Sequence, residues 1–152
     1  MKTLLRLTLV ASVIIFLSSC TRSRYDDGYY NPVVGSWVLT DAAQGGYYGW
    51  QSIYTGLENG VFNFYSSGTI TYRDARNSMR GDWYMRRVSG GYYDEFGNYY
   101  NDIHDELELH LVDSYTGATM DLYFNDVGFT NNRMVTTYHN NNYVVRYRFA
   151  RY

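Results

Sequence analysis

The stretch Val34-Gly35-Ser36-Trp37-Val38-Leu39-Thr40 decides the fold. From it onward, apolar side chains recur at every second position. Phe62 and Phe64 share one face of Val61 to Tyr65, and Ile70 and Tyr72 share one face of Thr69 to Arg73. Trp83 and Met85 follow, then Leu107, Leu109 and Leu111, then Met120, Leu122 and Phe124. A period of two is that of a strand with one dry and one wet face. Glu58-Asn59-Gly60, Ser66-Ser67-Gly68 and Asn140-Asn141-Asn142 supply turns between these runs, the last inside a closing hairpin of Arg133 to His139 and Tyr143 to Ala150. No helical stripe competes with this pattern. The chain is therefore expected to be all-β and antiparallel, as a sandwich or barrel. A closed barrel removes exposed edges, and about eight strands leave an interior that side chains fill or that holds one small ligand.

Two connections interrupt the regular spacing. One is the Gly-rich segment Asp41 to Gly49; the other is a long loop expected from Ser89 to Asp105. Both contain Gly-Gly-Tyr-Tyr, at 45–48 and at 90–93. Tyrosine with Gly, Asn and Asp is the mixture found in adaptable recognition surfaces. Tyr92, Tyr93, Tyr99 and Tyr100 are thus candidate contact residues for a protein or glycan partner.

Ahead of Val34 the chain has a different character. Lys2 and Arg6 make a basic start, and Leu7 to Leu17 is nearly all apolar but too short to span a bilayer as a helix. Leu17-Ser18-Ser19-Cys20 resembles the lipobox of bacterial lipoproteins. That resemblance implies cleavage before Cys20, acylation of Cys20 and anchoring by three acyl chains, where two already suffice. Thr21 after the cysteine, rather than Asp, implies the outer membrane in such lipoproteins, on its periplasmic or its surface face. The organisation expected is a signal peptide at 1–19, a lipidated cysteine and polar tether at 20–33, and one domain at 34–152.

Composition narrows the chemistry. The 152 residues include 13 basic and 15 acidic ones, and loss of Lys2 and Arg6 makes the mature chain more acidic. A nucleic-acid partner, which wants a strongly basic face, is not expected. Lys2 is the only lysine, so the mature chain has neither a Schiff-base lysine nor a P-loop. Cys20 is the only cysteine, which removes disulfides, thiol nucleophiles and cysteine metal sites once it carries lipid. The 19 tyrosines cannot all be buried, since each hydroxyl wants a partner.

Gly35-Ser36-Trp37 at the head of the first strand resembles the Gly-x-Trp of lipocalins. The order of later motifs is similar to short lipocalin-like lipoproteins of Gram-negative bacteria: Phe62-x-Phe64, Ser67-Gly68-Thr69-Ile70-Thr71-Tyr72, Gly81-Asp82-Trp83, Leu107-x-Leu109 and Tyr147-Arg148-Phe149. The resemblance covers residues 34–152, apart from the two Tyr-rich insertions. It implies an up-and-down barrel whose tryptophan packs across the closed end under an arginine of the last strand. Gly35 and Trp37 form that closing motif, with Arg148 or Arg151 as the arginine. It also implies a cavity for a small apolar or amphipathic molecule, lined by Phe62, Phe64, Tyr72, Trp83, Leu109, Met120, Leu122 and Phe124.

Two further patterns concern chemistry. His104, Glu106, Glu108 and His110 alternate with leucines and would form a row on a wet strand face; a solvated face is expected there rather than a metal site. No Gly-x-Ser-x-Gly elbow positions a nucleophile. No catalytic residue, metal or cofactor is therefore expected. Arg73, Arg76, Arg80, Arg86 and Arg87 precede an acid-rich stretch at 94–108. Cross-strand pairing is the expected use of these charges, with an anion site at the arginines as the alternative.

Overall fold

The computed structural model describes residues 31–140 and 142–152, so Cys20 and the expected signal peptide lie outside the described residues. Among the described residues there is no helix, and ten strands run in chain order. They are β1 (Gly35–Gly46), β2 (Gly49–Ser52), β3 (Val61–Phe64), β4 (Thr69–Arg73), β5 (Ser78–Tyr93), β6 (Tyr99–Asp113), β7 (Thr119–Phe124), β8 (Asp126–Thr130), β9 (Arg133–Asn140) and β10 (Tyr143–Arg151). Every pairing is antiparallel, in the order β7-β6-β5-β4-β3-β1-β10-β9-β8, with β2 also on β1.

The count exceeds the expected eight for two reasons. β2 is the short return of a hairpin from β1. β7 and β8 are successive pieces of one extended segment with only Asn125 between them, the first piece on β6 and the second on β9. Asn125 holds the break: its N–H donates to the Thr137 carbonyl, and its side-chain oxygen accepts from the His139 N–H. No ladder joins β7 to β8, so the hydrogen-bonded path is open there.

The register shows how the sheet curves. From Ser36 the pairs run through Asn63, Thr71, Arg80 and Val112 to Thr119, the first residue of β7. From Val38 the other way they run through Ala150 and Arg133 to Thr130, the last residue of β8. The two ends of the path are thus consecutive stretches of one chain segment, and the sheet curls until β6 lies beside β8 and β7 beside β9.

The core lies on the concave face. Trp37, Leu39, Ala42, Phe62, Phe64, Ile70, Tyr72, Met79, Leu107, Leu109, Leu111, Phe124, Val127, Met134 and Phe149 are buried there in one cluster. The alternation at Leu107, Leu109 and Leu111 sorts these faces as expected, and burying each such side chain contributes about 1.5–3 kcal/mol. The segment expected as a loop from Ser89 to Asp105 is instead the far half of a ribbon. β5 and β6 stay paired from Met79–Asp113 out to Tyr93–Tyr99, and only Asp94 to Asn98 is a turn. The Asp94 carboxylate accepts from the Phe96 and Asn98 N–H groups, and Gly97 takes a positive φ of 85°. Local turn chemistry therefore lets the strands run on where a loop was expected.

Candidate functional site

At one end of the curled sheet, Trp37 is wholly buried, and the guanidinium carbon of Arg151 stands 4.6 Å from its ring centroid. Trp37 and Arg151 are register partners, so they share the inner face. The indole N–H donates to the Val33 carbonyl at 2.7 Å, and Arg151 donates to the carbonyls of Val34 (3.1 Å) and Pro32 (3.0 Å). Gly35, with φ of 135°, leaves the space through which Arg151 passes; a side chain there would collide with its guanidinium. Of the two arginines considered from the sequence, Arg151 takes the place over Trp37. Arg148 pairs with Asp41 in the ladder, one residue out of phase with the core, and serves elsewhere. The second Gly-x-Trp has its own steric reason, since a Cβ at Gly81 would run into the His110 carbonyl of β6.

The residues expected to line a cavity are packed on one another. Phe62, Phe64, Tyr72, Leu109 and Phe124 are buried, while Trp83, Met120 and Leu122 are partly buried against the same cluster. Phe62 lies 4.6 Å from Tyr72 and 5.9 Å from Phe149 between ring centroids, and Phe64 lies 5.9 Å from Trp83. Trp83 also donates its indole N–H to the Tyr65 carbonyl. Rings at these separations are in packing contact.

The far half of the β5–β6 ribbon crosses the outer faces of β9, β10 and β1 as a strap. Thr137 Oγ1 donates to the Tyr93 carbonyl at 2.7 Å, and the Tyr93 ring lies 4.2 Å from that of His139. Tyr92 stacks between Tyr100 and the buried His104. At the tip, Arg146 Nη1 donates to the Glu95 carbonyl and Arg148 Nη2 to the Glu95 carboxylate, both at 3.0 Å. Arg146 stands 4.4 Å from the Trp50 ring centroid. Both guanidinia flank Asp41, at 3.6 and 3.8 Å. Of the four tyrosines singled out from the sequence, Tyr92 and Tyr93 are half-buried in this docking, whereas Tyr99 and Tyr100 remain exposed.

The turn that follows the second Gly-Gly-Tyr-Tyr thereby meets the hairpin that contains the first. Gly45, Gly46, Gly49, Trp50 and Val144 on the sheet side, with Phe96 and Gly97 of the strap, line a hollow of about 260 Å³. Around it Tyr47 is 97% exposed, Tyr48 89% and Phe96 67%. A second, open cleft of about 360 Å³ lies over β5, β6 and β7. It is lined by Trp83, Leu109 and Leu122, three of the residues expected to line a cavity, together with Asp82, Tyr84, Glu108, His110, Asp121 and Tyr123.

The histidine–glutamate row is not the solvated face expected throughout: His104 is buried, with its Nε2 3.9 Å from Glu106, while Glu108 is half-buried and His110 exposed. His104 Nδ1 contacts the Asp102 carbonyl, Glu106 accepts from Arg86 at 2.7 Å, Glu108 faces the same arginine at 3.3 Å, and His110 contacts Asp121. No group of three or more metal-ligating side chains forms among the described residues. The Arg86–Glu106, Arg86–Glu108 and Arg87–Asp105 pairs are the cross-strand pairing expected from the charge pattern.

Four residues of the strap contact escaped sequence reasoning: Glu95, Trp50, Arg146 and Asp126. The nearest signal was the repeated Gly-Gly-Tyr-Tyr, which flanks Trp50 on one side and leads into Glu95 on the other. Asp126, on the outer face of β8 beneath the strap, is pushed up to about 6 by burial, against the opposing pull of His104; Asp105 and Asp94 raise it further. For Asp94 the outcome is reversed: burial pushes it up, but hydrogen bonds from Asn98, Phe96 and Gly97 outweigh that and hold it below the usual range. Comparison of the chain with protein-family models, with curated proteins and with solved structures found no match.

Proposed function

We propose that residues 34–152 form a lipocalin-like up-and-down barrel of about eight strands in which β7 and β8 act as one closing strand. In this reading the barrel is held to the outer membrane by lipid on Cys20, and the molecule is a surface interaction module for a protein or glycan partner. The observation that carries it is the division of the aromatic residues. The inner rings are packed on one another, while Tyr47, Tyr48, Phe96, Tyr99 and Tyr100 stand exposed around the strap tip. Exposed aromatic clusters of this kind mark contact surfaces. The Arg151–Trp37 stack and the meeting of both sheet ends in residues 119–130 support the barrel. For the other expectation, a carrier of a small apolar molecule, room would have to come from the cleft at Trp83, Leu109 and Leu122, since Phe62, Phe64, Tyr72 and Phe124 are buried in the core cluster.

The test replaces Tyr47, Tyr48 and Phe96 by Ser in the full chain. Binding to a glycan array and to candidate envelope proteins should be lost, with the urea midpoint unchanged. Native mass spectrometry of the wild-type protein from its own membrane should show no tightly held small molecule. A copurified molecule that the Ser variant retains would establish the carrier instead.

A further inference from the structure

The strap tip is built like a ligand seated in a receptor. Its turn is pre-formed by the Asp94 side chain, so Glu95 is presented rigidly. The floor beneath consists of two arginines, one indole and a row of glycines. Arg146 is only 8% exposed, and its Nε is buried with no hydrogen-bond partner. Its Nη1 meets the strap at the Glu95 carbonyl, and its approach to Asp41 at 3.6 Å exceeds normal hydrogen-bond length. Arg148 meets the Glu95 carboxylate through Nη2 alone, whereas guanidinium and carboxylate favour a two-pronged fit. The two guanidinia face Asp41 and Glu95. Withdrawal of Glu95 would leave them one positive charge in excess, on a surface that already holds an unsatisfied donor. The strap's hold there is mostly polar, because Phe96 at its tip does not insert.

The hollow beside this contact defines the rest of a ligand. At about 260 Å³ it is below the ~300–1,000 Å³ of drug-sized pockets and has room for a single ring. Gly45, Gly46, Gly49 and Gly97 leave its walls without side chains, Trp50 bounds it next to Arg146, and Phe96 offers a free ring. We propose that Arg146, Arg148, Trp50 and the adjoining glycine-lined hollow bind a carboxylate-bearing sugar, and that Glu95 occupies the carboxylate position in the resting protein. This deepens the glycan half of the function proposed above and rests on it. Binding exchanges one carboxylate for another on Arg148 and seats the sugar ring in the hollow, so the Glu95 side chain is displaced as ligand enters, while Phe96 and Gly97 stay in the hollow's wall.

The experiment titrates the full chain, wild type and variants, with trigalacturonate, a neutral trisaccharide of equal length and glutarate. Calorimetry gives affinities, and the change in Trp fluorescence, to which Trp37 and Trp83 contribute besides Trp50, is read alongside. Glu95→Gln should bind trigalacturonate roughly tenfold or more tightly than wild type, since it removes a charge-assisted internal competitor. Arg148→Gln should lose that binding, and Arg148→Lys, which keeps the charge without the fork, should recover only part of it; urea midpoints are measured alongside. Equal affinity in wild type and Glu95→Gln would overturn the proposal, as would binding that survives Arg148→Gln. Glutarate binding as tightly as the uronate would overturn the sugar assignment. A neutral glycan that binds, is insensitive to Glu95 and Arg148, and is lost with Tyr47 and Tyr48 would leave the surface module standing while this site falls. Failure of every glycan on every variant would remove both glycan readings.

Discussion

Replacing Asp126 by Asn should stabilise this domain at neutral pH. Asp126 projects from β8 into the layer between the outer face of the sheet and the strap. From the ribbon it is approached by His104, Asp105, Asp94 and Tyr92, while its own strand offers the Val127 N–H and β9 places Thr137 opposite. Burial raises its carboxyl from an ordinary 3.8 to about 6. The folded-state value exceeds the unfolded one, so folding is penalised when the group is ionised. The penalty is complete above about 6, fades as pH falls through that value and is absent below about 4. At face value the displacement corresponds to about 3 kcal/mol, at about 1.36 kcal/mol per tenfold change; partial exposure reduces this to about 1–2 kcal/mol. Asn keeps the size and an acceptor for the Val127 N–H but carries no charge. Urea denaturation followed by Trp fluorescence at pH 4, 6 and 7.5 should show the Asn variant with a midpoint higher by roughly 0.5–1 M at pH 7.5. The two proteins should converge by pH 4. A variant less stable than wild type at pH 7.5, or a difference that does not change with pH, would refute the reasoning and show that attraction to His104 outweighs burial.

Other expectations concern the Trp37 end of the sheet and its strands. Trp37→Ala should cost about 3–5 kcal/mol in urea denaturation, because a wholly buried indole leaves a cavity that rigid strands cannot collapse into. Arg151→Ala should destabilise by about 1–2 kcal/mol through loss of the stack and of donors to Val34 and Pro32, with Arg148→Ala costing less than about 1 kcal/mol because its ion pairs are partly exposed. Gly81→Ala should be disproportionately harmful for one added methyl, with loss of hydrogen-exchange protection along β5 and β6, since the Cβ strikes a backbone carbonyl that cannot swing aside.

How much of this was legible beforehand depended on how local the cause is. The alternation of Leu107, Leu109 and Leu111 placed those residues inside, and the Ser66-Ser67-Gly68 signal marked a turn that forms, with Gly68 at a positive φ. The split of β7 from β8 left a trace in the sequence, since the inward apolar residues are even-numbered in β7 through Phe124 and odd-numbered in β8 from Val127, with Asn125 and Asp126 at the change of phase. The strap, by contrast, was hidden. Gly90 to Asn101 has turn-forming composition, and only the cross-strand register of Tyr92–Tyr100 and Tyr93–Tyr99 makes it sheet.

The sequence by itself determined which side chains face inward, because a period of two sorts faces without reference to any partner. Tertiary structure alone chose Arg151 over Arg148, since that choice turns on ladder register and the irregularity between Leu39 and Asp41. It also decided where the Tyr-rich segments go. Tyr93 meets Thr137 and Glu95 meets Arg146 across separations of 44 and 51 residues, and such contacts follow from the curl of the whole sheet rather than from any local pattern.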